Sequence, residues 1–242
     1  MTSSVLEIKE KISTWNELRN TPAALPMLTA GFGFKIQYSE YQNWYNPEDP
    51  NSETPHDIRC YFGVEELGMR FYIIDNLHDH EGQHNPGVNL FEKSFVRVLE
   101  SPSIPGEGPF NLNKLVSNQI SSQKCGERVL NWILSAGSWL EYQLGQLPNS
   151  AIPAELDDIG IPRVVTIPFT DLSVLFGNSQ EDVYVMLALK DYGGNNGYNL
   201  ELILSHVQDI ESPSPVVNSF HDVTQPHPPF TLAANLHFSL LS

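Results

Sequence analysis

Two pairs of apolar runs, one pair in each half of the chain, constrain the fold most strongly. In the first half, IRCYFGVE and MRFYIIDN are joined by Glu-Leu-Gly. In the second half, DVYVMLALKD and YNLELILSH are joined by YGGNN, whose residues tolerate the positive φ of a turn. Apolar runs of this length, rich in β-branched and aromatic residues and bounded by turn residues, predict strands. We therefore expect an antiparallel hairpin at the centre of each half.

Helical periodicity precedes each hairpin. Near the start of the chain, apolar residues recur at spacings of three and four: Val5, Ile8, Ile12 and Trp15. Ser4 and Glu7 form a capping box, which satisfies backbone donors at a helix start. A second helix is predicted over NLNKLVSNQI, and the strongest one over ERVLNWILSAGSWLEYQLGQLP. Its apolar face is predicted to consist of Val129, Ile133, Ala136, Leu140, Leu144 and Leu147.

Further strands are predicted outside the hairpins. The candidates are GFGFKIQYSEYQNWY, NLFEKSFVRVLE, RVVTIPF and FTLAANLHFSLL. The last of these alternates strictly between apolar and polar residues, as does a strand buried on one face. The 18 prolines and 16 glycines favour short elements joined by turns. These patterns together predict an α+β fold with mostly antiparallel strands and two or three helices.

The order of segments is similar in the two halves. Helix, Leu-Pro, strand, hairpin and apolar-polar tail follow one another in each, and four residues match between NPGVNLF and SPVVNSF: Pro86, Val88, Asn89 and Phe91 with Pro215, Val217, Asn218 and Phe220. We interpret this as an internal duplication into α-β-β-β(-β) repeats, residues 1–110 and 111–242, forming one or two sheets about a pseudo-twofold axis. Two unrelated halves that share a pattern by chance, or one fused compact domain, are the alternatives.

The charge of the chain is strongly negative, with 29 acidic and 13 basic residues and a net charge of −16. Nucleic acids and anionic membrane surfaces are repelled by such a chain, because both are bound through Lys and Arg. A basic protein partner would be attracted. The first residues lack a secretory pattern, and Cys60 and Cys125 lack metal-site spacing. We therefore expect a cytoplasmic protein with reduced cysteines.

The stretch NLHDHEGQH, residues 76–84, is the candidate site. If it continues the strand before it, His78 and His80 project from one face, and His84 could add a third ligand to a transition metal such as zinc. Such a metal could activate a water for hydrolysis. At the matching places in the second half, Val207, Asp209 and Pro213 take the positions of His78, His80 and His84. A solvated loop is the alternative to a metal site.

Two function classes remain. No phosphate-loop, dinucleotide-binding, serine-hydrolase or zinc-protease motif is present in the sequence. The first class is a non-catalytic adaptor or immunity-like inhibitor that docks a basic protein or self-assembles into a homo-oligomer. The second is a metal-binding protein or metal-dependent hydrolase that uses His78, His80 and His84.

Overall fold

The computed structural model of the chain describes residues 3–45, 57–66, 68–95, 122–147, 161–191, 197–206, 221–222, 225–227 and 238–241. The helices are α1 (Val5–Leu18), α2 (Ala24–Leu28), α3 (Tyr38–Trp44), α4 (Asn76–His80), α5 (Ser122–Gly145) and α6 (Phe169–Asn178). The strands are β1 (Gly33–Ile36), β2 (Asp57–Glu65), β3 (Gly68–Asp75), β4 (Leu90–Ser94), β5 (Val164–Pro168), β6 (Val183–Asp191), β7 (Tyr198–His206), β8 (His221–Asp222) and β9 (Gln225–His227). A 3₁₀ turn spans Ser239–Leu241.

The strands form two antiparallel sheets. One sheet has the order β4-β3-β2-β5-β9 and the other has the order β1-β6-β7-β8. The two predicted hairpins are confirmed as β2–β3, paired from Ile58 to Glu65 of β2, and β6–β7, paired along its full length. The α+β class with mostly antiparallel strands is thereby confirmed, in its two-sheet form. The predicted two or three helices are too few, because the described residues alone contain six.

The two sheets are equivalent when the elements of the first half are exchanged for those of the second. Exchanging β1, β2, β3 and β4 with β5, β6, β7 and β8 turns the order β1-β6-β7-β8 into β5-β2-β3-β4. Read backwards, this is the order of four strands of the other sheet, which has β9 in addition. Each hairpin is therefore extended by a strand from the opposite half of the chain. This order is the one expected of two repeats that exchange a strand, while the duplication itself stays a prediction.

The long helices repeat one arrangement. The first, α1, packs on β2, and α5 packs on β6. Trp15 and Trp132 occupy the same position in these helices, counted from their first residues. The indole Nε1 of Trp15 donates to the Pro162 carbonyl at 3.0 Å, and that of Trp132 donates to the Gly31 carbonyl at 3.4 Å. Both carbonyls lie just before an exchanged strand, so each helix holds the strand that the other half contributes.

The core lies between the sheets and beneath the helices. Phe34 of β1 stacks on Phe71 of β3 with ring centroids 4.7 Å apart, which joins the inner faces of the two sheets. A smaller apolar cluster lies beneath α1, where Ile8 and Ile12 pack with Tyr61. On the opposite side of the molecule, α5 contacts Glu201, which projects from the face of its sheet opposite to that of Phe34. The layers are therefore α1, five-stranded sheet, four-stranded sheet and α5.

The prediction of one strand over GFGFKIQYSEYQNWY is wrong beyond Ile36. Helix α3 begins at Tyr38, because the Glu40 carboxylate accepts from the Gln37 backbone N–H at 2.8 Å. The aromatic residues that suggested a strand have a helical spacing, and Tyr41 and Trp44 are buried on one side. Helix α6, which directly follows β5 in the same way, was not predicted either.

The apolar face of α5 agrees with its prediction in part. Val129, Ala136 and Leu140 are buried as expected, together with Cys125, Trp132 and Trp139, whereas Ile133 is 58% exposed. The end of FTLAANLHFSLL is also not the predicted strand, because Ser239–Leu241 form a 3₁₀ turn. The predicted helix NLNKLVSNQI and the boundary at residue 110 lie outside the described residues. None of the helices in the described part of the chain has the length and apolarity that a membrane span requires.

Candidate functional site

The stretch 76–84 starts as a helix, not as the end of a strand. The Asp75 carboxylate accepts from the backbone N–H groups of Leu77 and His78 at 3.1 and 3.0 Å. This cap makes the chain helical at the residue where β3 ends. The expectation that His78 and His80 share one strand face is therefore wrong, because residues two apart on a helix point to different sides.

The three candidate metal ligands have different surroundings. His78 Nδ1 lies 2.5 Å from Asp75 Oδ2, and His80 is exposed on α4. His84 follows α4 with its side chain only 7% exposed. Within the part of the chain that the structure describes, no group of three or more His, Cys, Asp or Glu side chains is placed to hold a metal ion. A metal site built from His78, His80 and His84 stays a prediction.

The helix instead delivers Asp79 into a buried polar cluster. Its carboxylate is fully buried, and Oδ2 accepts from the Arg59 guanidinium and from the Tyr61 hydroxyl, both of β2. Oδ1 accepts from the Ser239 hydroxyl at 2.6 Å. The His84 ring completes the cluster, since Nε2 lies 2.7 Å from Ser239 Oγ and 3.2 Å from Asp79 Oδ1. Strand β2, the segment 79–84 and the 3₁₀ turn therefore meet at one carboxylate.

The cluster contains Ser, His and Asp, but its geometry differs from that of a catalytic triad. In a triad, one ring nitrogen of the His accepts from the Ser and the other donates to the Asp. Here the single Nε2 of His84 faces both partners, and the Ser239 hydroxyl donates to Asp79. The arrangement is an anchor that fixes the 3₁₀ turn to the five-stranded sheet.

Apolar groups seal this cluster. The Arg59 guanidinium lies 4.7 Å from the centre of the Phe238 ring, and Tyr61 meets the same ring edge-on at 6.2 Å. Leu240 packs into the small core with Ile8 and Ile12. Burial raises the pKa of the Tyr61 hydroxyl well above its usual value, and the Asp79 carboxylate adds to this effect. Tyr61 therefore remains a neutral donor.

The sequence contains one signal for this cluster that the patterns above missed. Arg59 interrupts an otherwise apolar strand, and a charged side chain in a buried strand requires a paired partner. That signal identifies the need for a carboxylate, but it does not identify Asp79. Ser239 lies 160 residues away from Asp79 in the chain, and no local pattern connects the two.

A cleft of about 290 Å³ lies beside the 3₁₀ turn. This volume is at the lower limit of pockets that bind small molecules. Its walls combine charged, polar and apolar groups from α1, the segment before β5 and the turn: Lys9, Glu10, Ile12, Ser13, Asn16, Arg163, Leu240 and Leu241.

Several basic side chains pair with carboxylates of the same chain. Lys11 Nζ lies 2.6 Å from Glu65, and Arg70 contacts both Glu65 at 2.8 Å and Glu92 at 3.3 Å. The hydrogen bonds from Lys11 and then Arg70 lower the pKa of Glu65. Two further pairs are Lys93 with Glu40 and Arg128 with Glu201. These basic side chains are therefore engaged in ion pairs within the fold.

The outward side of α1 carries three carboxylates and the exposed Leu6. Glu7, Glu10 and Glu17 are all exposed, and their spacings of three and seven place them on one side of the helix. Hydrogen bonds from the Ser4 backbone and side chain lower the pKa of Glu7, so this residue is ionised well below neutral pH. We call these three carboxylates the α1 acidic stripe.

The outward side of α5 is apolar. Leu130, Ile133 and Leu134 follow the spacing of one helix side and are 51%, 58% and 73% exposed. We call these three residues the α5 apolar stripe.

No protein family profile, no curated protein and no solved structure matches this chain.

Proposed function

We propose that the chain is a protein-binding module that docks a basic protein partner through the α1 acidic stripe. The carrying observation is that Glu7, Glu10 and Glu17 project together from a helix whose other side is fixed to β2. An ordered set of carboxylates on a rigid element gives a cationic partner a defined place to bind. The net charge of −16 adds long-range attraction that accelerates association.

The buried cluster supports this function by stabilising the docking surface. Asp79 holds Ser239, and the adjoining Leu240 packs against Ile8 and Ile12 on the inner side of α1. The inner side of the helix thereby packs on both the sheet and the 3₁₀ turn. A partner that binds α1 meets a preorganised surface and loses little conformational entropy there. An adaptor, or an inhibitor that covers a basic protein, fits this arrangement.

Affinity purification with a charge-matched control tests the proposal. One variant replaces Glu7, Glu10 and Glu17 by Gln, which preserves the shape of the side chains and can still complete a capping box at Glu7. The control variant replaces Glu127, Glu141 and Glu181 by Gln, three exposed carboxylates outside α1. Both variants lose the same charge, so only the position of the change differs.

We expect the wild type and the control to retain a common basic protein at low ionic strength, and the α1 variant to lose it. Retention should fall as ionic strength rises above about 0.15 M, where the screening length is about 8 Å. Zero-length carbodiimide coupling followed by mass spectrometry should join Glu7, Glu10 or Glu17 to lysines of the partner. Recovery of the wild type alone at low salt, or equal retention by both variants, would overturn the proposal.

A further inference from the structure

The cleft beside the 3₁₀ turn carries more basic than acidic side chains, in a chain whose net charge is −16. Lys9 of α1 and Arg163 of the segment before β5 line it, together with one carboxylate, that of Glu10. Ile12 and Leu240 line it as well and are 1% and 2% exposed, so they form an apolar floor. Positive charge beside an apolar floor is a lining that suits an anion with an apolar portion.

The wall that carries Arg163 is fixed by hydrogen bonds. The backbone carbonyls of residues 161, 162 and 163 accept in turn from the side chains of Arg19 and Trp15 and from the backbone N–H of Phe62, at 2.6, 3.0 and 2.9 Å. These bonds attach the segment to α1 on one side and to β2 on the other. A ligand that binds Arg163 therefore meets a backbone that is already ordered, which lowers the entropic cost of binding.

The 3₁₀ turn forms a second wall, and the buried cluster holds it in place. Ser239 donates to the Asp79 carboxylate at 2.6 Å, and Leu240 and Leu241, which follow it directly, line the cleft. The Asp79 carboxylate therefore sets the position of the apolar side of the cleft.

Helix α1 forms the third wall. Lys9, Ser13 and Asn16 line the cleft at spacings of four and three residues, which places them along one side of the helix. At a rise of 1.5 Å per residue, they span about 10 Å. A ligand along this wall can place an anionic group at the Lys9 ammonium, while Ser13 and Asn16 offer further hydrogen bonds.

The second half of the chain provides an internal comparison. With the two long helices aligned on their tryptophans, Lys9 takes the position of Gly126 of α5. Arg163 takes the position of Phe32, because the carbonyl of each accepts from the first strand of a hairpin and follows the carbonyl that accepts from a tryptophan. Phe32 is buried in the core. The layer arrangement therefore requires a basic residue at neither position, and both basic residues line the cleft.

We propose that this cleft binds a small organic anion with an apolar portion, of the class of short-chain carboxylates. The carboxylate of the ligand pairs with Lys9 and Arg163, which hold it by charge-assisted hydrogen bonds. Its hydrocarbon portion lies against the apolar floor, where its contact with Ile12 and Leu240 removes apolar surface from water.

The net charge of the chain does not prevent an anion from binding at this place. At an ionic strength of 0.15 M the screening length is about 8 Å, so distant carboxylates act weakly on a ligand that touches Lys9 and Arg163. Glu10 is the carboxylate that lines the cleft itself, and its repulsion weakens the binding of an anion. Replacement of Glu10 by Gln should therefore strengthen binding.

Titration of the full chain with hexanoate, followed by NMR of its amide and methyl groups, tests the proposal. A ligand this small makes few contacts, so we expect a dissociation constant on the order of 0.1 to 1 mM. The shifts should saturate and centre on Ile12, Leu240 and Leu241. Hexanamide, which is neutral, hexylamine, which is cationic, and acetate, which lacks the apolar portion, should each bind at least about tenfold more weakly.

Two pairs of variants separate the cleft from the rest of the surface. Arg163→Gln should weaken hexanoate binding about tenfold, whereas Lys124→Gln, which removes the same charge from an exposed residue of α5, should leave it unchanged. Ser13→Trp fills the cleft without a change of charge and should abolish binding. Its control is Thr14→Trp, at the next exposed residue of α1, outside the lining of the cleft. The second pair alters only exposed positions, so it decides the question even where loss of Arg163 impairs folding.

Several results would overturn this site. One is the absence of saturable shifts at about 10 mM hexanoate, tenfold or more above the expected dissociation constant. Equal binding of hexanoate and hexanamide, or equal effects of the two tryptophan variants, would also contradict it. Weaker binding in Glu10→Gln would assign the cleft to a zwitterion instead of an anion. None of these results involves a protein partner, so this site and the docking function of the α1 acidic stripe fail independently.

Discussion

At the scale of single residues, the fully buried carboxylate of Asp79 fixes the position of the 3₁₀ turn. It neutralises Arg59, accepts from Tyr61 and holds Ser239, and every oxygen has a partner. A buried ion pair adds little stability compared with an apolar pair, but loss of one member leaves the other charge desolvated. Asp79 therefore matters because its loss would leave the Arg59 guanidinium, which is only 4% exposed, without a counter-ion.

Asp79→Asn tests this role. The amide keeps the shape of the side chain but removes the charge, so Arg59 remains buried without its counter-ion. We expect the free energy of unfolding, measured with urea, to fall by about 3 kcal/mol. Glu81→Gln removes an exposed carboxylate two residues later. We expect it to change the free energy of unfolding by less than about 0.5 kcal/mol. Equal stability of the two variants would contradict the role assigned to Asp79.

At the scale of elements, sequence patterns correctly predicted the features that depend on interactions between residues close together in the chain. The capping box of Ser4 and Glu7 and the hairpins β2–β3 and β6–β7 follow from residues close together in sequence, and the structure confirms them. Helices α3 and α6 were missed because each follows a strand without a connecting turn. The face of α5 was predicted in part, since Val129, Ala136 and Leu140 are buried as expected, whereas Ile133 is 58% exposed.

Two glycines of these elements have opposite expected effects when replaced by alanine. A Cβ at Gly33 of β1 would lie 2.0 Å from the Val185 carbonyl oxygen of β6, so the exchanged strand would have to move. We expect Gly33→Ala to lower the free energy of unfolding by about 2 kcal/mol or more. A Cβ at Gly126 of α5 has no atom within 4 Å. Gly126→Ala should therefore raise the free energy of unfolding by about 0.5 to 1 kcal/mol.

Chemical denaturation of both glycine variants, measured beside the wild type, checks the pair. The opposite signs serve as the internal control, because a general sensitivity to alanine would lower both values. A neutral Gly33→Ala would mean that β1 does not approach β6 as closely as the structure places it.

At the scale of the whole molecule, the pairing of the halves could not be predicted. Periodicity indicates which residues are buried, but it does not indicate which strand lies beside another across a long stretch of chain. The segment order suggested two units, and the structure gives each sheet strands from both halves. Likewise, the candidate histidines were found as a sequence cluster, whereas the buried cluster depends on Arg59 and Ser239, far from them in sequence.

Separate halves test this exchange. Fragment 1–110 lacks β5, which pairs with β2, and fragment 111–242 lacks β1, which pairs with β6. We expect neither fragment alone to unfold cooperatively in urea, as followed by circular dichroism. Co-expression should restore a single cooperative transition, because the two fragments together supply all the paired strands. Cooperative unfolding of either fragment alone would contradict the exchange as a requirement for folding.

The exchange also has a consequence during synthesis on the ribosome. The nascent chain presents β1 long before β6, the strand it pairs with, has been translated. At a typical elongation rate this delay is on the order of ten seconds, far longer than a hairpin needs to form. The hairpin β2–β3 can form early, but β5 pairs with β2 only after β5 has been translated. The Asp79 carboxylate likewise gains its hydrogen bond from Ser239 only at the end of synthesis. Chaperone protection would therefore matter most for the first half, which is exposed throughout the translation of the second.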